Sequence, residues 1–113
     1  SGEYVAAREV EDTLLSHPAV RMAAVVGVPD ELRGEEVKAY LVLIDDRDAE
    51  QAAADLLPFC AERIARFKVP RYWEVRGDLP RTPSERVAKP ELVAGRTWDA
   101  ENGSWMDAGT RRT

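Results

Sequence analysis

Two apolar stretches separated by a short polar turn constrain the fold most. Residues 22–28 form an uninterrupted apolar run of strand length, which predicts a strand buried on both faces. Residues 36–44 alternate, with Lys38 and Tyr40 on one face. The other face of this second stretch is formed by Val37, Ala39, Leu41 and Leu43. Residues 29–34 form the turn, so the whole segment predicts a β-hairpin.

A first helix is predicted before the hairpin, over residues 7–16. Val10 and Leu14 are four positions apart, and Leu15 widens the apolar stripe. Pro18 ends this helix, because the residue before a proline avoids the helical region.

A second helix is predicted after the charged loop at residues 45–48, and it runs to about Arg66. Its apolar stripe recurs at four-residue steps and comprises Leu56, Cys60 and Ile64. Asp55 is the expected N-cap, because Pro58 then falls in the first turn, where its missing N–H costs little. Residues 49–54 are expected to form a separate preceding turn.

The last part of the chain predicts a third strand at residues 72–75 and a short apolar helix at residues 91–94. The resulting order of elements predicts an α+β fold, a small three-stranded sheet plus short hairpins with helices packed on it. Residues 1–95 are expected to form the domain. Residues 96–113 are expected to be a polar tail, with a short hairpin pinned by Trp98 and Trp105.

Composition excludes several classes of function. The 113 residues suffice for one modest domain, and a net charge of −5 argues against a nucleic-acid binder. No apolar run approaches the roughly 18 residues of a membrane span. A single cysteine allows no internal disulfide and fits a reducing cytoplasm. The start at Ser1-Gly2 instead of Met suggests a fragment of a longer protein.

Several reactive residue types are expected to have structural roles. His17 is the only histidine and lies before a proline, where capping or solvent exposure is expected. Cys60 is expected to be a buried small hydrophobe. The three tryptophans are expected to be packing anchors. The acid pairs Glu9/Glu11 and Glu35/Glu36 lack His or Cys partners, so they are interpreted as surface acids and no metal site is predicted.

The segment of residues 79–89 is the main functional candidate. It contains two prolines and a polar centre, which predict an exposed loop of defined shape. Arg81, Arg86 and Lys89 lie within nine positions of one another. Spacing alone leaves two interpretations open: a solvated basic edge that balances acidic neighbours, or cations delivered to a phosphate or carboxylate held by another body.

Five stretches, in order, resemble the C-terminal domain of the adenylate-forming superfamily. They are Gly2-Glu3-Tyr4-Val5, His17-Pro18-Ala19-Val20, Ala24-Val25-Val26-Gly27-Val28-Pro29-Asp30, Phe67-Lys68-Val69-Pro70-Arg71 and Leu79-Pro80-Arg81-Thr82-Pro83. The resemblance covers residues 2 to about 95 and is greatest to AMP-forming acyl-CoA synthetases. Residues 83–89 and 97–99 are most similar to sequences of the crotonobetaine/carnitine-CoA ligase type.

The resemblance implies a two-step ligase. A small carboxylic acid and ATP give acyl-adenylate, and the thiol of coenzyme A then displaces AMP. In such enzymes the C-terminal domain is a mobile lid on the protein's own N-terminal AMP-binding domain, which holds ATP, the acid and Mg²⁺. The implied cofactors are therefore ATP/AMP, coenzyme A and Mg²⁺, and the isolated domain is expected to be inactive.

Position by position, the resemblance aligns Arg86 with the lysine of a Thr-Gly-Lys motif. Ser84 takes the threonine position and Glu85 the glycine position. Arginine is bulkier and forked, so it is not a conservative replacement for lysine. Arg86 is the expected adenylation cation, Lys89 is the alternative, and a crippled first step is the third outcome.

The resemblance also implies residues for the thioester step. Gly2 and Glu3 match a segment of the pantetheine tunnel. Phe67 and Lys68 match positions near the nucleotide of coenzyme A. Arg33 and Gly34, in the turn of the hairpin, are further expected contacts of coenzyme A, and Arg33 is expected to contact a phosphate.

Two other functions stay open from the sequence. One is a non-catalytic binding or interaction domain that has lost the catalytic lysine, which Arg86 favours and the retained Phe67-Lys68 segment opposes. The other is the lid of an adenylation enzyme that loads carrier proteins. The Gly-Val-Pro-Asp and Phe-Lys-Val-Pro segments fit a ligase for free coenzyme A better.

Overall fold

The structure is a computed structural model that describes residues 4–107. In chain order its elements are α1 (Ala7–Leu15), β1 (Val20–Asp30), β2 (Gly34–Leu43), α2 (Ala49–Ala61), β3 (Tyr72–Val75), β4 (Thr97–Asp99) and β5 (Ser104–Met106). Single 3₁₀ turns occur at Arg66–Lys68 and Lys89–Glu91.

The strands form one sheet in the order β1-β2-β3-β4-β5. Only β2 and β3 run parallel, because α2 connects them. The α+β class is confirmed, but the sheet has five strands instead of three. The additional strands join because Trp73 in β3 pairs with Trp98 in β4, and β5 then folds back on β4.

The β1–β2 hairpin is confirmed, with longer strands than predicted. Asp30 pairs with Gly34, so the turn contains only residues 31–33. The Asp30 carboxylate accepts hydrogen bonds from the backbone N–H groups of Leu32 and Arg33, at 3.1 and 2.8 Å. Gly34 follows with φ +80°, a conformation that favours glycine.

Both faces of the sheet are covered, as the continuous apolar run in β1 predicted. Val25 faces the main core beneath α1 and α2, and Ala24 faces a second cluster on the opposite side. The second cluster consists of Ala24, Tyr40, Val42 and Leu79. Leu79 opens the loop at residues 79–89, so this loop is packed against the face of the sheet that carries no helix.

The predicted start of α2 is wrong. The helix begins at Ala49, where Asp48 and Gln51 form a reciprocal capping box. Asp55 therefore lies within the helix and pairs with Arg47 at 2.7 Å. Pro58 is interior as well, on the exposed side of the helix. The capping box outweighs the helix-breaking tendency of one solvent-facing proline.

Three smaller predictions are also wrong. Leu15 is 45% exposed instead of widening the buried stripe of α1. The second helix ends at Ala61, well before Arg66. No helix forms at residues 91–94, because Pro90 lies in a single 3₁₀ turn and Leu92 is already extended.

His17 and Cys60 have the structural roles expected of them. His17 accepts a hydrogen bond from the backbone N–H of Ala19 at 3.1 Å and packs edge-on against Phe59. Cys60 is fully buried, and this burial raises the pKa of its thiol to about 11. A thiol with such a pKa is a poor nucleophile at neutral pH.

Candidate functional site

The loop at residues 79–89 folds into a miniature hairpin. The N–H of Thr82 donates to the carbonyl of Arg86 at 2.7 Å, and the N–H of Glu85 donates to the carbonyl of Thr82 at 2.9 Å. Arg81 and Val87 form an antiparallel bridge at the base. Two backbone hydrogen bonds and a bridge hold the tip in a defined shape.

Glu85 adopts φ +69° at the tip of this hairpin, and it is the only non-glycine residue with positive φ among residues 4–107. This left-handed conformation favours glycine, because a Cβ atom crowds the backbone there. The resembled motif has glycine at this position. The loop therefore has, at Glu85, a backbone conformation that the glycine of the resembled motif would favour.

Lys89 binds groups of α1 and β1. Its ammonium group donates to the carbonyl of Val25 at 2.9 Å and pairs with the Glu11 carboxylate at 2.7 Å. The same Glu11 oxygen accepts the N–H of Val25 at 2.8 Å. Because β1 is an edge strand, these two side chains satisfy the outward-facing backbone groups of one edge residue. Glu11 is only 19% exposed, so its interpretation as a surface acid is wrong.

Arg86 has the opposite environment. It is exposed, and its side chain makes no hydrogen bond or ion pair with any residue in the described range. Arg81 pairs with Asp78 at 3.1 Å and lies 3.8 Å from Glu85. Among the three loop cations, only Arg86 has no charged partner within residues 4–107. It lies at the tip of the loop hairpin.

Two of the expected coenzyme A contacts, Arg33 and Phe67, line one groove of about 1020 Å³ on the helix side of the sheet. Phe67 is 76% exposed, and Arg66 beside it is exposed as well. The groove also contains the side chains of Tyr4, Arg71 and Glu101. An exposed aromatic ring and several guanidinium groups in one groove suit a nucleotide with phosphate groups.

The other expected contacts lie apart from this lining. Lys68 pairs with Glu9 at 2.7 Å. Gly34 is exposed at the start of β2. Gly2 and Glu3 lie outside the described residues, and nothing is concluded about them.

A network of charged side chains borders the groove. The Arg71 guanidinium binds Asp99 through two hydrogen bonds of 3.0 Å, and both side chains are nearly fully buried. Arg71 also reaches Glu36 at 3.2 Å. Burial alone would raise the pKa of Asp99, but Arg71 and the backbone N–H groups of residues 101 and 102 outweigh burial and lower it.

A second buried ion pair is formed by Lys38 and Glu74, with Lys38 on the same face of β2 as Tyr40. Lys38 donates to Glu74 at 2.8 Å and to Thr97 at 3.0 Å. Burial lowers the pKa of Lys38, while the paired Glu74 opposes that change. Both charged side chains are at most 5% exposed, and Lys38 lines a cavity of about 370 Å³.

Sequence reasoning missed the roles of Glu11, Asp99 and Glu101. Glu11 gave no signal of its role, because its partner Lys89 is far away in sequence. Asp99 precedes the predicted tight turn, where a carboxylate that accepts backbone N–H groups is common, and this signal was available. No group of three or more His, Cys, Asp or Glu side chains within residues 4–107 has the arrangement of a metal site. No helix in that range is long and apolar enough to cross a bilayer.

The chain is similar in sequence to ligases of coenzyme A. Crotonobetaine/carnitine–CoA ligase from Proteus mirabilis is 41% identical over 91 residues, which are 80% of this chain and 17% of that protein. Sulfoacetate–CoA ligase from Cupriavidus necator is 39% identical over 92 residues, 81% of this chain and 18% of that protein. The chain therefore spans less than a fifth of the length of these relatives.

Solved structures of coenzyme A ligases are also similar to this chain. The o-succinylbenzoate CoA synthetase from Bacillus subtilis, in complex with the acyl-adenylate intermediate OSB-AMP, superimposes with a TM-score of 0.70 at 39% identity, over 80% of this chain and 18% of that chain. An acyl-CoA synthetase from Brucella canis gives 0.69 at 37% identity, over 74% and 16% of the two chains.

The family profile described as the AMP-binding enzyme C-terminal domain matches residues 9–86. The match begins within α1 and ends at Arg86, so it covers the first three strands, both helices and the tip of the loop hairpin. The resemblance drawn from the sequence is confirmed, and the chain belongs to the AMP-binding enzyme C-terminal domain family.

Proposed function

We propose that this chain is the C-terminal lid of an ATP-dependent carboxylic acid–CoA ligase and is inactive alone. The observation that carries the proposal is the exposed, unpaired Arg86 at the tip of a shaped hairpin, in the position of the motif lysine. Support also comes from the relatives, which are CoA ligases by name, and from neighbours solved with AMP and with an acyl-adenylate.

In the first step the carboxylate of the acid attacks the α-phosphate of ATP, and pyrophosphate leaves. Negative charge accumulates between the carboxylate and the α-phosphate as the new bond forms. A cation delivered there from outside the cleft stabilises the transition state more than the ground state. Arg86 has the charge and the exposure for this role, and its planar fork suits two phosphate oxygens.

Lys89 is the alternative cation, and its contacts favour an anchoring role. Its ammonium group would have to leave both Glu11 and the Val25 carbonyl before it could reach a substrate. We therefore assign Arg86 to the substrate and Lys89 to holding the base of the loop against α1 and β1.

In the second step the thiolate of coenzyme A attacks the acyl carbonyl, and AMP leaves. The groove that contains Phe67 and Arg33 is the proposed contact for the nucleotide of coenzyme A, with Gly34 and Lys68 at its margin. Gly2 and Glu3 are proposed to line the pantetheine path. ATP and Mg²⁺ are assigned to an N-terminal AMP-binding domain, because the described residues offer no cluster of metal ligands. A cytoplasmic location follows from the use of ATP and coenzyme A.

The test uses the full-length enzyme and measures the two half-reactions separately by single-turnover kinetics. Arg86→Ala is expected to slow acyl-adenylate formation about 100-fold, the loss typical for removing one transition-state donor. Thioester formation from supplied acyl-adenylate is expected to change by less than about threefold. Arg86→Lys is expected to restore most of the first step.

Arg21→Ala is the matched control, because Arg21 is also an exposed arginine without a hydrogen bond or ion pair in the described range. It is expected to leave both steps unchanged. Equal losses in both half-reactions for Arg86→Ala would contradict the assignment. Full adenylation by the N-terminal portion without this domain would instead favour a non-catalytic binding domain.

A further inference from the structure

The guanidinium of Arg33, an expected phosphate contact, is already occupied by a carboxylate. Its two Nη atoms bind the two carboxylate oxygens of Glu101 at 2.7 and 3.2 Å, and Nη1 also contacts Glu36. This is the bidentate arrangement in which arginine binds a phosphate. Arg33 and Glu101 are 53% and 45% exposed, so solvent and ligands can reach the pair.

The β4–β5 hairpin fixes the position of Glu101. The Asp99 carboxylate accepts the backbone N–H groups of Glu101 and Asn102, at 3.0 and 3.1 Å. The N–H of Gly103 donates to the carbonyl of Asp99 at 2.8 Å, which closes the turn. Asp99 is itself held by buried Arg71, so the hairpin tip is anchored to the core.

This hairpin lies beyond residues 9–86, the part of the chain that matches the family profile. It connects across the groove to the tip of the β1–β2 hairpin through the contact between Arg33 and Glu101. The carboxylate is thus supplied by an element outside the part that matches the family profile, and it binds a cation of the proposed nucleotide groove.

We propose that Glu101 is an affinity-setting residue that competes with ligand phosphate for Arg33. The inference rests on the proposed function, because it takes the groove as the contact for the coenzyme A nucleotide. A phosphate that enters meets Arg66, which has no hydrogen bond or ion pair in the described range, and must displace Glu101 to gain Arg33. The groove therefore binds anions more weakly than its arginines alone would allow.

The experiment measures binding of adenosine 3′,5′-bisphosphate, the nucleotide portion of coenzyme A, to the 113-residue chain by calorimetry at low and moderate salt. Glu101→Gln is expected to bind about three- to tenfold more tightly than the parent chain. It removes the carboxylate that holds both Nη atoms of Arg33, leaves only the Glu36 contact at Nη1, and removes one repulsive charge. Arg33→Gln is expected to remove this gain, so that Arg33→Gln and the double variant bind alike.

Glu31→Gln is the control for net charge. Glu31 is an exposed carboxylate two residues from Arg33, without a hydrogen bond or ion pair in the described range. It is expected to change binding by less than about twofold. Thermal unfolding of each variant separates a local effect from loss of the hairpin.

Binding by Glu101→Gln that equals or falls below that of Glu31→Gln would overturn the inference. So would a gain that persists without Arg33, or a failure of every variant to bind. A failure of every variant to bind would also count against the groove as the contact for the coenzyme A nucleotide. The role of the chain in adenylation is decided separately, by the adenylation rate at Arg86, a residue outside the groove.

Discussion

Lys89→Met tests whether the lysine holds the loop at residues 79–89 in place. Methionine keeps the apolar stem and removes the ammonium group, which leaves the Val25 carbonyl without its donor and Glu11 with one partner fewer. The lost contacts are 2.9 and 2.7 Å long, and the two charged side chains are 23% and 19% exposed. This environment is intermediate between that of a surface pair and that of a buried one.

The magnitude follows from that environment. A fully exposed ion pair contributes at most about 1 kcal/mol, whereas a hydrogen bond to a buried charge contributes about 1.5–3 kcal/mol. We therefore expect Lys89→Met to lower the free energy of unfolding by about 2 kcal/mol and the melting temperature by about 8 °C. Glu11→Gln keeps an acceptor for the Val25 N–H and is expected to cost about 1 kcal/mol.

Two assays on the 113-residue chain check this prediction. Urea unfolding measures the stability of the domain, and limited trypsin digestion of the folded chain measures cleavage at the Arg86–Val87 bond. Lys68→Met is the matched control. Lys68 pairs with Glu9, also on α1, at the same 2.7 Å, but the glutamate is 47% exposed and no backbone carbonyl is involved. This control is expected to cost at most about 0.5 kcal/mol and to leave cleavage at Arg86 unchanged.

A double-mutant cycle tests whether Lys89 and Glu11 stabilise the domain through their direct contact. Lys89→Met and Glu11→Gln are expected to be coupled by about 1 kcal/mol, because they share one contact. Additive effects would refute the reasoning. So would a Lys89→Met variant that is as stable and as resistant to trypsin as Lys68→Met.

Three further outcomes are expected. Glu85→Gly should raise the free energy of unfolding by up to about 1 kcal/mol, because it relieves the positive φ, and Glu85→Ala should not; urea unfolding checks both. Asp99→Asn should cost about 2–3 kcal/mol at pH 7, since it removes the carboxylate that binds buried Arg71 through two hydrogen bonds and leaves only the contacts with Glu36 and Glu101. The folded-state pKa of Asp99 is lowered, so the stabilisation by its carboxylate is present above about pH 4, the unfolded value, and is lost as pH falls through the folded-state pKa. The free energy of unfolding of Asp99→Asn should therefore fall less steeply with acidification than that of the parent chain. Lys38→Met should cost about 2 kcal/mol in urea unfolding, since buried Glu74 loses one of its two charged partners and keeps Arg76 and the N–H of Gly95.

Periodicity in the sequence predicted the elements that have one buried stripe or one continuous apolar run. The bounds of α1, the β1–β2 hairpin and β3 agree with the structure to within a few residues for that reason. The start of α2 was missed because Pro58 was weighted more heavily than the pair of Asp48 and Gln51, whose spacing is that of a capping box. The capping box, which can be read from the sequence, determines where that helix begins.

The sequence predicted which segment forms the candidate site, but not which side chains of that segment are paired and which are free. The motif located the loop and aligned Arg86 with the lysine, yet spacing gave no way to decide between Arg86 and Lys89. That distinction depends on Glu11, which lies 78 positions before Lys89 and meets it only through the packing of α1 on β1. The contact between Arg33 and Glu101 was equally invisible, since it joins two turns 68 positions apart.

The outer edge of β1 has a consequence for how this domain behaves at high concentration. At Val25 the unpaired strand is covered by Glu11 and Lys89, and four residues further along the same edge Pro29 offers no N–H. A neighbouring molecule that added a strand there would meet a partly buried charged pair and a position without an N–H donor. The same two side chains that brace the loop therefore also guard against strand-to-strand polymerisation.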